Sequence, residues 1–203
     1  MTRSQTALAL LLLFLAPLAT HAAWWTTQPH AASWRDADWS SAHVLPDAAR
    51  VPGAVVHVLP GGIGRWKGIF AHHTWVVVKT RGATRYTRHE VVGWGRPLRT
   101  DAYAADGRWF GETPAILATL EGAAAERAIP RIREAIERYP WGGAGSYAIW
   151  PGPNSNTFIA HVVRAVPELA PGLLPTAVGN DYSGTAFAGW TPSGTGVQLS
   201  LAG

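Results

Sequence analysis

The chain has 203 residues, enough for one domain plus a targeting segment, and only 15% of them are charged. It holds no cysteine, which excludes disulfides, thiolate chemistry, lipoprotein processing and cysteine-based zinc or iron–sulfur sites. The net charge is +4, but no nucleic-acid motif and no aromatic–basic repeat accompanies it, so nucleic acid is not an expected partner.

Residues 1–23 read as a secretory signal. Arg3 gives a positive n-region, Ala7–Leu18 an apolar h-region, and Ala16–Ala23 small residues for cleavage. The apolar run falls short of the roughly 20 residues that span a bilayer. If it is retained as an anchor in the inner membrane, residues 7–25 lie at the membrane and Trp24 and Trp25 sit at its interface. The expected location is periplasmic or extracellular. Residues 24–182 form the expected single α+β domain, and 183–203 a tail rich in Gly, Ser and Thr, with a turn at Pro192-Ser193-Gly194.

Within the domain, Ala54–Leu59 reads as a first strand and Pro60–Gly64 as a turn. Trp66–Phe70 reads as short and extended. His73–Lys79 is the clearest strand, rich in β-branched and aromatic residues, and Tyr86–Trp94 is its antiparallel hairpin partner. Another strand is expected near Leu98–Ala102. Thr113-Pro114 predicts a helix start, with a short helix over Ala115–Leu120. Ala123–Tyr139 predicts a longer helix presenting Ala128, Ile129, Ile132, Ala135 and Ile136 on one face, with a kink or restart at Pro130. Ser146–Trp150 is expected to be a strand. The densest basic patch, Lys79, Arg81, Arg85, Arg88, Arg96 and Arg99, suits either an anionic polymer or a solvated strand edge.

The stretch around which these elements are organised is Trp150-Pro151-Gly152-Pro153-Asn154-Ser155-Asn156-Thr157-Phe158. Two prolines and a glycine stiffen a turn, and a helix begins near Asn154 or Ser155, with Phe158, Ile159, Val162 and Val163 on one stripe. It ends near Val166-Pro167. Ser155 thus lies at a helix N-terminus, a position that favours developing negative charge and equally suits a plain cap. His72 and His73 are adjacent, so they point to opposite faces. No metal-ligand spacing is present, and no cofactor is expected.

Pro-Asn-Ser-Asn-Thr-Phe before a helix resembles the Asn-Cys-x-x-Phe motif of circularly permuted NlpC-type papain-like proteins, which include lecithin-retinol acyltransferase-like enzymes. The resemblance implies a permuted papain-like α+β fold, an antiparallel sheet packed against helices. It puts Ser155 in the place of the catalytic Cys, His73 in the place of the His and Glu90 in the place of the third polar residue. Residues 65–182 also resemble an uncharacterised bacterial domain family of unknown function. The phrases that carry this likeness are Gly-Arg-Trp-Lys-Gly-Ile-Phe, His-Thr-Trp, Glu-Val-Val-Gly-Trp-Gly and Trp-Pro-Gly-Pro-Asn-Ser-Asn-Thr-Phe.

Two functions follow. A helix dipole does not ionise a serine hydroxyl as it does a thiol, so the missing Cys favours a non-catalytic envelope protein. Its groove would bind wall or lipid components, with Asn154, Asn156, Trp150, Trp75 and Trp94 as binding candidates among 11 Trp. The alternative is a serine-type hydrolase or acyltransferase on peptide or acyl bonds, using Ser155 as nucleophile, His73 as base and Glu90 as its orienter.

Overall fold

The computed structural model describes residues 2–169, 172–174, 176–184, 187–190 and 195–200. The expected turn at residues 192–194 lies outside them. Helix α1 (Arg3–Thr26) is followed by strands β1 (Val55–Gly62), β2 (His72–Lys79), β3 (Thr87–Val91), β4 (Leu98–Thr100) and β5 (Ala118–Glu121). Helices α2 (Gly122–Glu137) and α3 (Ser155–Ala165) come next, then a separate two-stranded antiparallel sheet of β6 (Phe187–Trp190) and β7 (Val197–Ser200). The first five strands form one antiparallel sheet in the order β4-β3-β2-β1-β5. The expected α+β class, an antiparallel sheet packed against helices, is what the molecule has.

The two sheet faces are divided by strand alternation. Val56 and Val58 of β1, Val76 and Val78 of β2, and Val91 after β3's Glu90 point to one face, where α2 and α3 cover them. The apolar stripe of α2 that the sequence predicts (Ala128, Ile129, Ile132, Ala135 and Ile136) is the stripe that is buried there. Phe158, Ile159 and Val162 of α3 fill the same core. On the opposite face Leu59, Trp75, Val77, Val92 and Trp109 make a second, aromatic-rich core.

Several local expectations are corrected. Pro60-Gly61-Gly62 is not a turn but the end of β1, with Pro60 opposite Thr74, Gly61 opposite His73 and Gly62 opposite His72. Ala115–Leu120 is not a helix. Ala118–Glu121 is a strand, because its backbone closes the open edge of β1, Val55–Val58, and ladder pairing overrides helix propensity. Arg65–Ile69 is a 3-10 turn rather than extended, and Ser146–Trp150 forms no strand. β3 and β4 are shorter than expected. Helix α2 runs through Pro130 without restarting. Of the basic patch, Lys79 and Arg88 are buried, so it is not one continuous charged surface.

Helix α1 is long and apolar enough to cross a membrane by length and composition, and its apolar window is wholly exposed. Its end rests on the 3-10 turn Arg65–Ile69, where Trp25 approaches Gly68.

Gly61 shows how closely the aromatic core sits on β1: a Cβ there would lie 2.5 Å from Trp109 Cβ. Replacing Gly61 by Ala is expected to destabilise the domain by about 1–3 kcal/mol through overpacking. A Gly53→Ala control, with nothing within 4 Å, should leave the melting temperature within about 1–2 °C of the parent. Thermal melts of both variants check this.

Candidate functional site

Asn154 caps α3. Its Oδ1 accepts from the backbone N–H of Asn156 (2.9 Å) and Thr157 (3.1 Å), and the Thr157 hydroxyl meets the Asn154 N–H at 3.1 Å. The cap belongs to Asn154, which leaves Ser155 as the first helical residue. Ser155 N–H has no acceptor among the described residues. The amide of Asn154 donates to the carbonyls of Ile149 and Val178, both at 2.9 Å. That of Asn156 donates to His72 O (3.1 Å) and Val178 O (2.9 Å), while its Oδ1 accepts from Thr74 Oγ1 at 2.8 Å. These two side chains tie the loop before α3 to the start of β2 and to residue 178. Their hydrogen-bonding groups are spent inside the fold.

On the other face of β2 lies a buried charge group. His73 Nε2 meets Glu90 Oε2 at 2.8 Å, and Arg88 donates to that same oxygen at 2.7 Å. Arg88 and Glu90 share a face because they are two apart on β3, and His73 joins them from β2. The Arg88 guanidinium lies 4.0 Å over the Trp75 ring and also donates to Ala104 O at 3.0 Å. The His73 ring stacks on Trp109, with centroids 3.8 Å apart. Glu90 Oε1 and Arg88 Nε are buried without partners.

Burial outweighs the Glu90 hydrogen bond and charge and holds His73 below the usual histidine range. Burial alone pushes Glu90 up, but the His73 hydrogen bond and the charges of His73 and Arg88 hold its carboxyl below the usual range. The Arg88 charge and the hydrogen bonds from Arg88 and His73 all favour an ionised Glu90 carboxylate. An ionised carboxylate only accepts hydrogen bonds, so His73 donates to it from Nε2.

The α3 cap and, of the charge group, His73 alone reach one cavity of about 790 Å3. His73, Val92, Trp94, Trp109 and Phe110 line it from the aromatic side, and Asn154, Ser155, Tyr147 and Ile149 from the α3 side. Of the binding candidates, Trp94, Asn154 and Asn156 line this cavity. Trp75 lies in the core, its Nε1 donating to Ala105 O at 2.9 Å, and Trp150 is exposed outside it. No hydrogen bond joins Ser155 Oγ to His73 among the described residues. Thr74 faces α3, donating also to Ser155 O at 3.4 Å, and His73 projects to the face opposite Thr74. His72 binds Thr176 through Nδ1 at 2.7 Å, and His161 binds Ala135 O at 3.0 Å. Among the described residues no group of three or more His, Asp or Glu could hold a metal ion.

Sequence reasoning missed Arg88 and Trp109. The signal for Arg88 was its i, i+2 spacing from Glu90 within a strand, which puts both on one face. Trp109 sits in a loop with no period, and nothing local marks it.

The model of the family described as "Protein of unknown function (DUF3750)" matches residues 53–182, from the lead-in to β1 to beyond α3. No curated protein and no solved structure matches the chain.

Removing one member of the buried charge group strands the others. Arg88→Met is expected to destabilise by about 3–5 kcal/mol, and the double variant Arg88→Met with Glu90→Met by clearly less than the sum of the singles. Chemical denaturation of the four proteins in the cycle measures this. A second expectation concerns pH. Burial lowers His57, His72, His73, His89 and His161. The unfolded chain therefore binds more protons below the ordinary histidine value near pH ~6.5. Stability should be fully present above that value and fall as the pH drops below it, read as a declining melting temperature.

Proposed function

We propose, from the premise that this chain belongs to the DUF3750 family of unknown function, that it is an exported, membrane-proximal binding protein whose cavity takes the apolar part of an envelope lipid or wall component. The observation that carries this reading is the cavity itself. Its volume lies in the ~300–1,000 Å3 range of small-molecule sites, and its described lining is dominated by aromatic and aliphatic side chains with no Asp or Glu. Such walls hold acyl chains or sugar faces without any ionised nucleophile. The apolar helix α1 beside the domain supports export or anchoring.

Binding is tested with the full chain in phosphatidylcholine nanodiscs and a dansyl-labelled acyl probe, following energy transfer from tryptophan. Saturable transfer is expected, reduced by at least about tenfold in apparent affinity when the exposed wall residue Ile149 is enlarged to Trp. It should be unchanged in Ser155→Ala. Transfer that never saturates, or that ignores Ile149→Trp, removes the reading.

One observation favours a second reading, a serine-type hydrolase or acyltransferase. His73, oriented by Glu90, reaches the same cavity as Ser155, whose N–H at the start of α3 is without an acceptor among the described residues. In that chemistry Ser155 Oγ attacks an ester or amide carbonyl, His73 Nδ1 takes the hydroxyl proton and passes it to the leaving group, and water then releases the acid by the reverse relay. The Ser155–His73 hydrogen bond would have to form on substrate binding. Under this reading hydrolysis of a p-nitrophenyl acyl ester drops to the buffer rate in Ser155→Ala and by about a hundredfold or more in His73→Ala. Equal turnover in Ser155→Ala rejects it and leaves the binding reading untouched.

A further inference from the structure

The mouth of the cavity differs in charge from its walls. We infer that the ligand is an anionic amphiphile, its acyl chain among the aromatic walls and its negative head on Arg65 and Lys67. This rests on the binding reading and names the ligand's chemical class.

Arg65 and Lys67 both line the cavity from the 3-10 turn Arg65–Ile69, and both are exposed. Neither side chain makes a hydrogen bond or ion pair among the described residues, so two cations stand at the mouth without counter-ions. No Asp or Glu is on the described cavity lining, and Glu112, beside β1, is turned onto Gly62 and lies 3.7 Å from His30 Nδ1. Trp34 and Trp66, also on the lining, are 62% and 60% exposed, amphipathic rings of the kind that settle at a membrane interface. The turn that carries both cations is the one on which the end of α1 rests, through Trp25 at Gly68. Cations, exposed Trp rings and the end of an apolar helix therefore meet at one mouth. In that arrangement an acyl chain enters the walls while its charged head stays at the level of the guanidinium and ammonium groups. A phospholipid phosphate and a free carboxylate offer the same charge.

The test uses full-length Ser155→Ala in phosphatidylcholine nanodiscs, so that labelling is read without turnover. Three diazirine photoprobes are compared: a fatty acid, the fatty alcohol of equal length, and phosphatidylglycerol carrying the same chain. Labelled residues are mapped by peptide mass spectrometry. The fatty acid or the phosphatidylglycerol should label the cavity segments 63–73, 92–94 and 147–149 at least about tenfold above the alcohol. Charge reversal by Arg65→Glu with Lys67→Glu should abolish that excess and leave alcohol labelling unchanged. Because both residues are exposed, the fold should survive; Arg65→Met with Lys67→Met gives the same readout without added acid. Labelling by phosphatidylglycerol identifies the bilayer as the source, and labelling by the fatty acid alone identifies the free acid; either supports the inference. Cavity labelling by both the acid and the phosphatidylglycerol that is no greater than labelling by the alcohol overturns it while the binding reading stands. Labelling confined to α1 for every probe overturns both.

Discussion

One carboxylate oxygen organises the aromatic half of this domain. Glu90 Oε2 accepts from both His73 and Arg88 in a place without solvent, and an ion there is tolerated only while its partners stay. The neighbours follow from that requirement. Trp75 lies beneath the Arg88 guanidinium and Trp109 against the His73 ring, so π faces stand where water would otherwise solvate the cation and imidazole. Gly61 is needed opposite His73 because any side chain would collide with Trp109. The pairing of β2 with β3 is thus fixed by charge on one face and by valine packing on the other. A slip of one residue would carry Glu90 and Arg88 to the helix side.

The helix side has its own lock, made of neutral groups. Asn154 and Asn156 donate to the backbone carbonyls of His72, Ile149 and Val178, Thr74 donates to Asn156 Oδ1, and together they set where α3 begins relative to β2. The two locks meet at the first residues of β2, and the cavity opens where they meet. Alternation along that strand also explains the looseness of the serine and histidine pair. The residue that touches the first turn of α3 is Thr74, and its neighbour His73 necessarily projects to the other face.

Much of this was legible locally. The β-branched run of β2 and the apolar stripe of α2 state their own periods, and Asn154 before Ser155 announces a capped helix. What escaped depends on distant partners. Ala118–Glu121 reads as helical in isolation and becomes a strand because β1 has an unpaired edge. Pro60-Gly61-Gly62 reads as a turn until His72–Thr74 lie opposite to receive it. His73, Glu90 and Ser155 were named from the sequence as one group; His73 and Ser155 line one cavity, whereas Glu90 is buried off its lining and bonded to His73 Nε2. Their mutual geometry was not readable, because it depends on strand register and on which strand face α3 covers. Arg88 was read as surface charge, since its burial is decided by Trp75 and by a carboxylate on its own strand.

The buried charge group bears on function in an unexpected direction. Were His73 and Glu90 held in place only by catalysis, their presence would argue for an active nucleophile at Ser155. Here each has a structural reason to stay: deleting His73 would leave Glu90 to Arg88 alone, with Oε1 already unpartnered, and deleting Glu90 would strand a buried guanidinium. The trio therefore persists on energetic grounds whatever Ser155 does, and its presence does not discriminate between catalysis and binding. The cavity does. A wide apolar space at the junction of two tightly bonded locks forgoes packing that the fold could otherwise have used, and no stability argument on either side of the sheet calls for it. A space kept open against that tendency is the feature that asks for an occupant.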